Sequence, residues 1–74
     1  MNAMKHDPIE RDPKIKKRIQ AAETEAEYSM EQDGTIDLDG ACHILWERQK
    51  KILLEKYGIK WRSPGDMNPE TMFD

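Results

Sequence analysis

The sequence predicts an all-α protein: a two-helix antiparallel hairpin with an ordered C-terminal tail, dimerising into a four-helix bundle. Three observations carry this expectation. Apolar residues recur at helical spacing in two long segments, and turn residues separate those segments. The second segment also carries more apolar surface than the first is able to cover. At 74 residues the chain has room for one small domain, whose core is marginal without a disulfide, a metal or a partner chain.

Residues 1–12 form a polar N-terminal segment with two Asp-Pro pairs, Asp7-Pro8 and Asp12-Pro13. Aspartate caps a helix start, and proline at the first helical position gives up an N–H that has no partner there anyway. Glu10, three residues after Asp7, is placed to complete a capping box for a short first turn. Pro13 should interrupt that turn by disfavouring helical geometry at Asp12. Met1-Asn2-Ala3 ahead of Met4-Lys5 reads as an added leader, with native numbering expected to begin at Met4.

The first main helix is expected from about Pro13 to about Glu31. Its apolar positions are Ile15, Ile19, Ala22, Ala26 and Met30, a narrow seam suited to antiparallel pairing. Most of that seam is alanine or methionine, so it permits close approach and supplies little bulk. Gln32 to Gly40 then reverses the chain. Asp33-Gly34 and Asp39-Gly40 are turn signals, and Thr35 to Asp39 alternates like a short extended segment. Ile36 and Leu38 are expected to plug the open end of the hairpin.

The second helix is the best signalled. Asp39 is its expected cap, and Gly58 ends it in the left-handed conformation with Ile59 packing back on the last turn. Between them Ile44, Leu45, Trp46, Ile52, Leu53, Leu54 and Tyr57 make a broad stripe, interrupted by polar residues from Glu47 to Lys51. The hairpin as a whole is assigned to residues 13–62 and the tail to 63–74. In the tail, Ser63-Pro64-Gly65-Asp66 suits a type II turn, and Met67, Met72 and Phe73 suggest docking.

Charge is segregated along the chain. Residues 13–22 hold Lys14, Lys16, Lys17 and Arg18 and no acid, whereas residues 23–40 hold seven acids and no base. Residues 41–62 are basic again. An antiparallel hairpin therefore gathers positive charge at the termini end and negative charge at the turn end. The basic start of the first helix opposes its own dipole, at a cost of roughly 0.3–1 kcal/mol for an exposed charge.

Motifs for chemistry fail on inspection. Aligning Gly40 with the invariant glycine of a calcium loop leaves Thr35 at the first ligand position and Trp46 at the last, where carboxylates are required. Cys42 and His43 are neighbours on a helix, about 100° apart, so they cannot chelate one ion or act as a nucleophile and its base. No metal, cofactor or catalytic residue is assigned, and the chain is not read as an enzyme. Cys42 is the single cysteine, which favours a reducing compartment. Without a secretory leader or an apolar run of membrane-spanning length, the expected location is cytoplasmic.

The expected role is that of a small interaction or regulatory module, a homodimer or the partner of another protein, with no membrane involvement. Its contact residues are Leu45, Trp46, Ile52, Leu53, Tyr57, Trp61, Met67 and Phe73. Trp61 either folds back with Ile59 over the hairpin's open end or stands as an aromatic anchor between Lys60 and Arg62. The alternative is a dimeric RNA- or single-strand-binding adaptor using Lys14, Lys17, Arg18, Lys56, Lys60 and Arg62. The net charge of −3 weighs against duplex binding. An acid in the middle of the stripe should be intolerable: Leu53→Asp is expected to dissociate or unfold the protein, and a folded variant of unchanged oligomeric mass refutes that.

Overall fold

A computed structural model describes residues 5–69, so Met1-Asn2-Ala3 and the tail residues Met72 and Phe73 lie outside it. The described chain is helical, without strands: α1 (Pro13–Asp33), α2 (Ala41–Tyr57) and a one-turn α3 (Pro64–Met67). A 3₁₀ turn, Pro8–Arg11, precedes α1, and another, Thr35–Asp37, lies between α1 and α2.

α1 begins as its sequence indicates. The Asp12 carboxylate accepts from the Lys14 N–H at 2.9 Å, Pro13 follows it, and Gly34 at φ 78° ends the helix. Ile19, Ala22, Ala26 and Met30 are buried and Ile15 is half-buried, which is the predicted seam. α2 packs along it in the opposite direction. Arg48, near the middle of α2, reaches Ser29 and Asp33 near the end of α1, at 2.9 and 2.7 Å. At the other end the Arg18 guanidinium lies 4.9 Å from the centroid of the Tyr57 ring. Between these contacts Leu53 is wholly buried against the α1 seam, so an acid there breaks the fold itself. Gln49 is buried beside it and donates to the Ile19 carbonyl at 3.0 Å, a polar tie that fixes the register of the two helices.

Four local expectations are corrected. The link folds as a 3₁₀ turn over Thr35–Asp37 because Asp33 accepts from both the Thr35 N–H and hydroxyl, curling the chain where extension was expected. Asp39 does not cap α2. Gly40 sits at the cap in the left-handed region, at φ 72°, without a side-chain bond, and the Ala41 N–H is taken by the Leu38 carbonyl. Glu10 does not close a capping box, because its carboxylate accepts from Trp61 instead. Ser63 to Asp66 is a helical turn rather than a type II turn, whose third residue needs a positive φ that Gly65 lacks. There the capping box does form, with Ser63 Oγ accepting from the Asp66 N–H at 3.2 Å and Asp66 Oδ2 from the Ser63 N–H at 3.1 Å. Gly65 serves a different purpose: a Cβ there would meet the Trp46 ring at 3.2 Å.

The segments from Lys5 and up to Asn68 are clasped together over the side of the hairpin. The Asn68 amide exchanges two hydrogen bonds with the Lys5 backbone, at 3.0 and 2.9 Å. Asp7 is buried and uses both oxygens. One caps the Ile9 N–H at 3.2 Å, and the other accepts from the Arg62 backbone at 2.9 Å and its guanidinium at 3.3 Å. Trp61 is buried in the core cluster, and its indole N–H donates to Glu10 at 3.2 Å. Ile9 and Ile59 pack against the same cluster.

Burial alone raises the pKa of Asp7, but the Arg62 and Ile9 N–H groups and the Arg62 guanidinium outweigh it and hold the carboxyl below its ordinary 3.8. A folded pKa below the unfolded one contributes stability that is complete above pH 3.8 and lost as pH falls through the folded value. Asp7→Asn is expected to cost about 1–3 kcal/mol at pH 7. Urea titrations at pH 7 and pH 3 test it: the gap between the two proteins should narrow in acid.

Candidate interaction surface

The interior takes up much of the stripe on α2 that sequence marks for association. Leu53 and Trp61 are buried, and Trp46, Ile52 and Tyr57 are half-buried against the core cluster. Trp46 meets His43 edge-on at 5.6 Å between centroids and covers Gly65. Met67 is half-buried at the end of α3. Leu45 is half-buried and faces a groove at the turn end, while Phe73 lies outside the described residues. The predicted set is thus split between the core, the α3 side and the turn end.

The exposed large apolar residues among those described are Tyr28 at 63%, Ile36 at 38%, Leu38 at 55% and Leu54 at 53%. None was in the predicted set. Leu54 is one residue beyond Leu53, and the 100° that separates neighbours on a helix carries it off the packed face. Ile36 and Leu38 stand where a plug was expected, but the curled link brings them only to the edge of the core. Ile36 helps to line an open groove of about 240 Å³ with Glu27 and Met30 of α1 and Ala41, Cys42 and Leu45 of α2. Small-molecule sites usually measure about 300–1,000 Å³, so the groove matches the anchor of a larger partner better than a whole small ligand.

The six basic residues of the nucleic-acid alternative fare unevenly. Arg18 lies over Tyr57, Lys56 pairs with Glu25 at 3.0 Å, and Arg62 pairs with Asp7. Lys14, Lys17 and Lys60 are exposed, with no carboxylate within 4.0 Å among the described residues. The N-terminal clasp therefore brings Asp7 and Glu10 to an end of the hairpin expected to be basic.

At the acidic end, Asp33 is anchored by Thr35 and Arg48, whose hydrogen bonds push its pKa down to about 2. Along the α3 side, Lys50 and Asp66 pair at 2.8 Å, and their hydrogen bond raises the lysine and lowers the acid. Glu23 behaves oppositely. Loss of solvent, then the charge of Glu27 and a hydrogen bond to it, hold the Glu23 carboxyl above its ordinary 4.5. Glu23, Glu27 and Glu31 recur every four residues, so like charges follow one strip of α1, with Glu27 at the groove. Among the described residues no lysine or arginine nitrogen lies within 4.0 Å of any of the three.

The chain matches no protein-family model, no curated protein and no solved structure. Among the described residues no helix is long and apolar enough to cross a membrane, and no group of three or more His, Cys, Asp or Glu is placed to hold a metal ion.

The Glu23 pKa, raised in the folded state, means that stability falls as pH rises through the folded value. Glu23→Gln is therefore expected to raise the urea midpoint at pH 7. That gain should vanish at pH 4, below the ordinary 4.5, where the native carboxyl is neutral too.

Proposed function

We propose that this chain is a small intracellular interaction module that works by helix-mediated association through the turn end of its hairpin. The observation that carries the reading is the groove beside Ile36 and Leu38. There exposed Ile36 lines an apolar recess, with exposed Leu38 two residues further along the link. The single cysteine favours a reducing compartment.

Association as a four-helix bundle has less to draw on. Leu53 is buried within the chain, and Trp46, Ile52 and Tyr57 already pack on its core. The nucleic-acid reading is weakened in the same way, since Arg18, Lys56 and Arg62 are engaged internally and net charge is −3.

Native mass spectrometry and sedimentation of the untagged protein, taken from cells at near-physiological salt, test the proposal. The expected result is a complex, with itself or another protein, that the double variant Ile36→Ser/Leu38→Ser abolishes. Both residues are exposed, so their replacement should shift stability by only about 0.5 kcal/mol. A bare monomer that is retained on heparin would overturn the proposal in favour of nucleic-acid binding.

A further inference from the structure

The groove at the turn end combines three properties that together describe its occupant. It is apolar at its base, where Met30, Ala41, Cys42 and Leu45 meet, and Ile36 forms one lip. It is open, and too small to enclose a whole small molecule. Its surroundings are acidic: Glu27 lines it, Glu23 and Glu31 lie one turn to either side on α1, and Asp37 and Asp39 flank Leu38 in the link. Among the described residues none of these five acids has a lysine or arginine within 4.0 Å, whereas Glu25 and Asp33 elsewhere on α1 are paired with Lys56 and Arg48.

We propose that the groove docks a basic amphipathic helix of another protein, an aliphatic anchor entering the recess and its lysines or arginines lying along Glu23, Glu27 and Glu31. This rests on the interaction reading above and names the chemistry of the partner. The row of glutamates spans two helical turns, about 12 Å, so cations one turn apart on a facing helix meet it in register. The like-charge contact between Glu23 and Glu27 is costly in the free protein and is relieved when a cation arrives. A second copy of this chain fits poorly. The basic segment of α1, from Lys14 to Arg18, lies where Ile19 is buried and Ile15 half-buried, so it offers no free apolar ridge. The basic stretch of α2 exposes Leu54 but engages Lys50 with Asp66 and Lys56 with Glu25. A polyphosphate or nucleic acid would be repelled by the rim.

The probe is a labelled synthetic helix of leucine and lysine, with leucines at i, i+3, i+4 and i+7, titrated into the full chain by fluorescence anisotropy. Its counterpart carries glutamate in place of lysine. Cys42 is the single cysteine and lines the groove, so its rate of reaction with a disulfide dye reports occupancy directly. Saturable 1:1 binding of the lysine peptide is expected, with Cys42 labelling slowed at least fivefold at saturation and at least tenfold weaker binding by the glutamate peptide. The triple variant Glu23→Gln/Glu27→Gln/Glu31→Gln should lose at least tenfold in affinity while unfolding no more easily than the native protein. A loss of stability would be read separately by urea titration, and Ile36→Ser provides a second, exposed substitution that should also weaken binding.

Equal binding of the two peptides, or unchanged Cys42 labelling at saturation, would overturn the proposal. So would a dimer, formed without peptide, in which Cys42 is already protected, since a second copy would then fill the groove. If the peptide fails but Ile36→Ser/Leu38→Ser still abolishes a complex in native mass spectra, only the partner's chemistry is wrong. If both fail, the interaction reading falls with it.

Discussion

Ala22 and Ala26 are wholly buried where α1 meets α2, and a methyl group is all that either contributes to the space between the helices. That thinness governs the rest of the structure. Leu53 and Gln49 of α2 fill the interface, Gln49 with its amide tied to the Ile19 carbonyl, while the small residues of the seam leave Trp46, Ile52 and Tyr57 only half-buried. The missing bulk comes from the chain ends. Ile9, Ile59 and Trp61 complete the core cluster, and Trp61 can do so only because Glu10 takes its indole N–H. A hairpin with a thin seam thus completes its core cluster within one chain, through residues more than fifty positions apart in sequence.

Electrostatics follow the same division. The ends of the chain are joined by charge as well as by packing, because Asp7 meets Arg62 from inside the clasp. A buried carboxylate held by two backbone N–H groups and a guanidinium is more than a surface ion pair, since removing it strands donors away from water. By contrast, the pairs Arg48–Asp33 and Lys56–Glu25 are largely exposed, and Coulomb attraction in water gives each little. Their effect is positional: they use up the acids on one flank of α1 and leave the strip through Glu23, Glu27 and Glu31 as a row of like charge.

The helices, their direction and the α1 seam were legible in the sequence because each depends on local signals: Asp12-Pro13, the spacing of Ile19, Ala22, Ala26 and Met30, and Gly58 at the end of α2. Those signals act over one or two turns. What was not legible were side chains with two eligible uses. Glu10 stands where a capping box wants it, yet goes to Trp61, and Asp7 caps locally while its other oxygen serves Arg62. Spacing names the first use and says nothing of a partner fifty residues away. Gly65 was read for its backbone freedom, whereas its value is the space it leaves for the Trp46 ring. The contact residues show the same limit: spacing places Leu53 and Leu54 in one stripe, and only the fold shows Leu53 buried with Trp61 in the core cluster and Leu54 exposed.

The proposed surface lies at the turn end and not in the middle of α2, and the physics of a small domain accounts for that choice. The clasp between Lys5 and Asn68 covers one side of the hairpin, while at the turn end, among the described residues, Ile36 lines the recess and Leu38 stays exposed. A core of this size has little stability to lose, and the strip of like charge beside the recess subtracts from it. An apolar recess and unrelieved charge of one sign are both unfavourable for the isolated chain, and they sit side by side. A single partner that is apolar along one face and basic beside it removes both at once, whereas a purely apolar or purely basic one removes only half. Specificity therefore follows from the pairing of the two features and not from the groove alone.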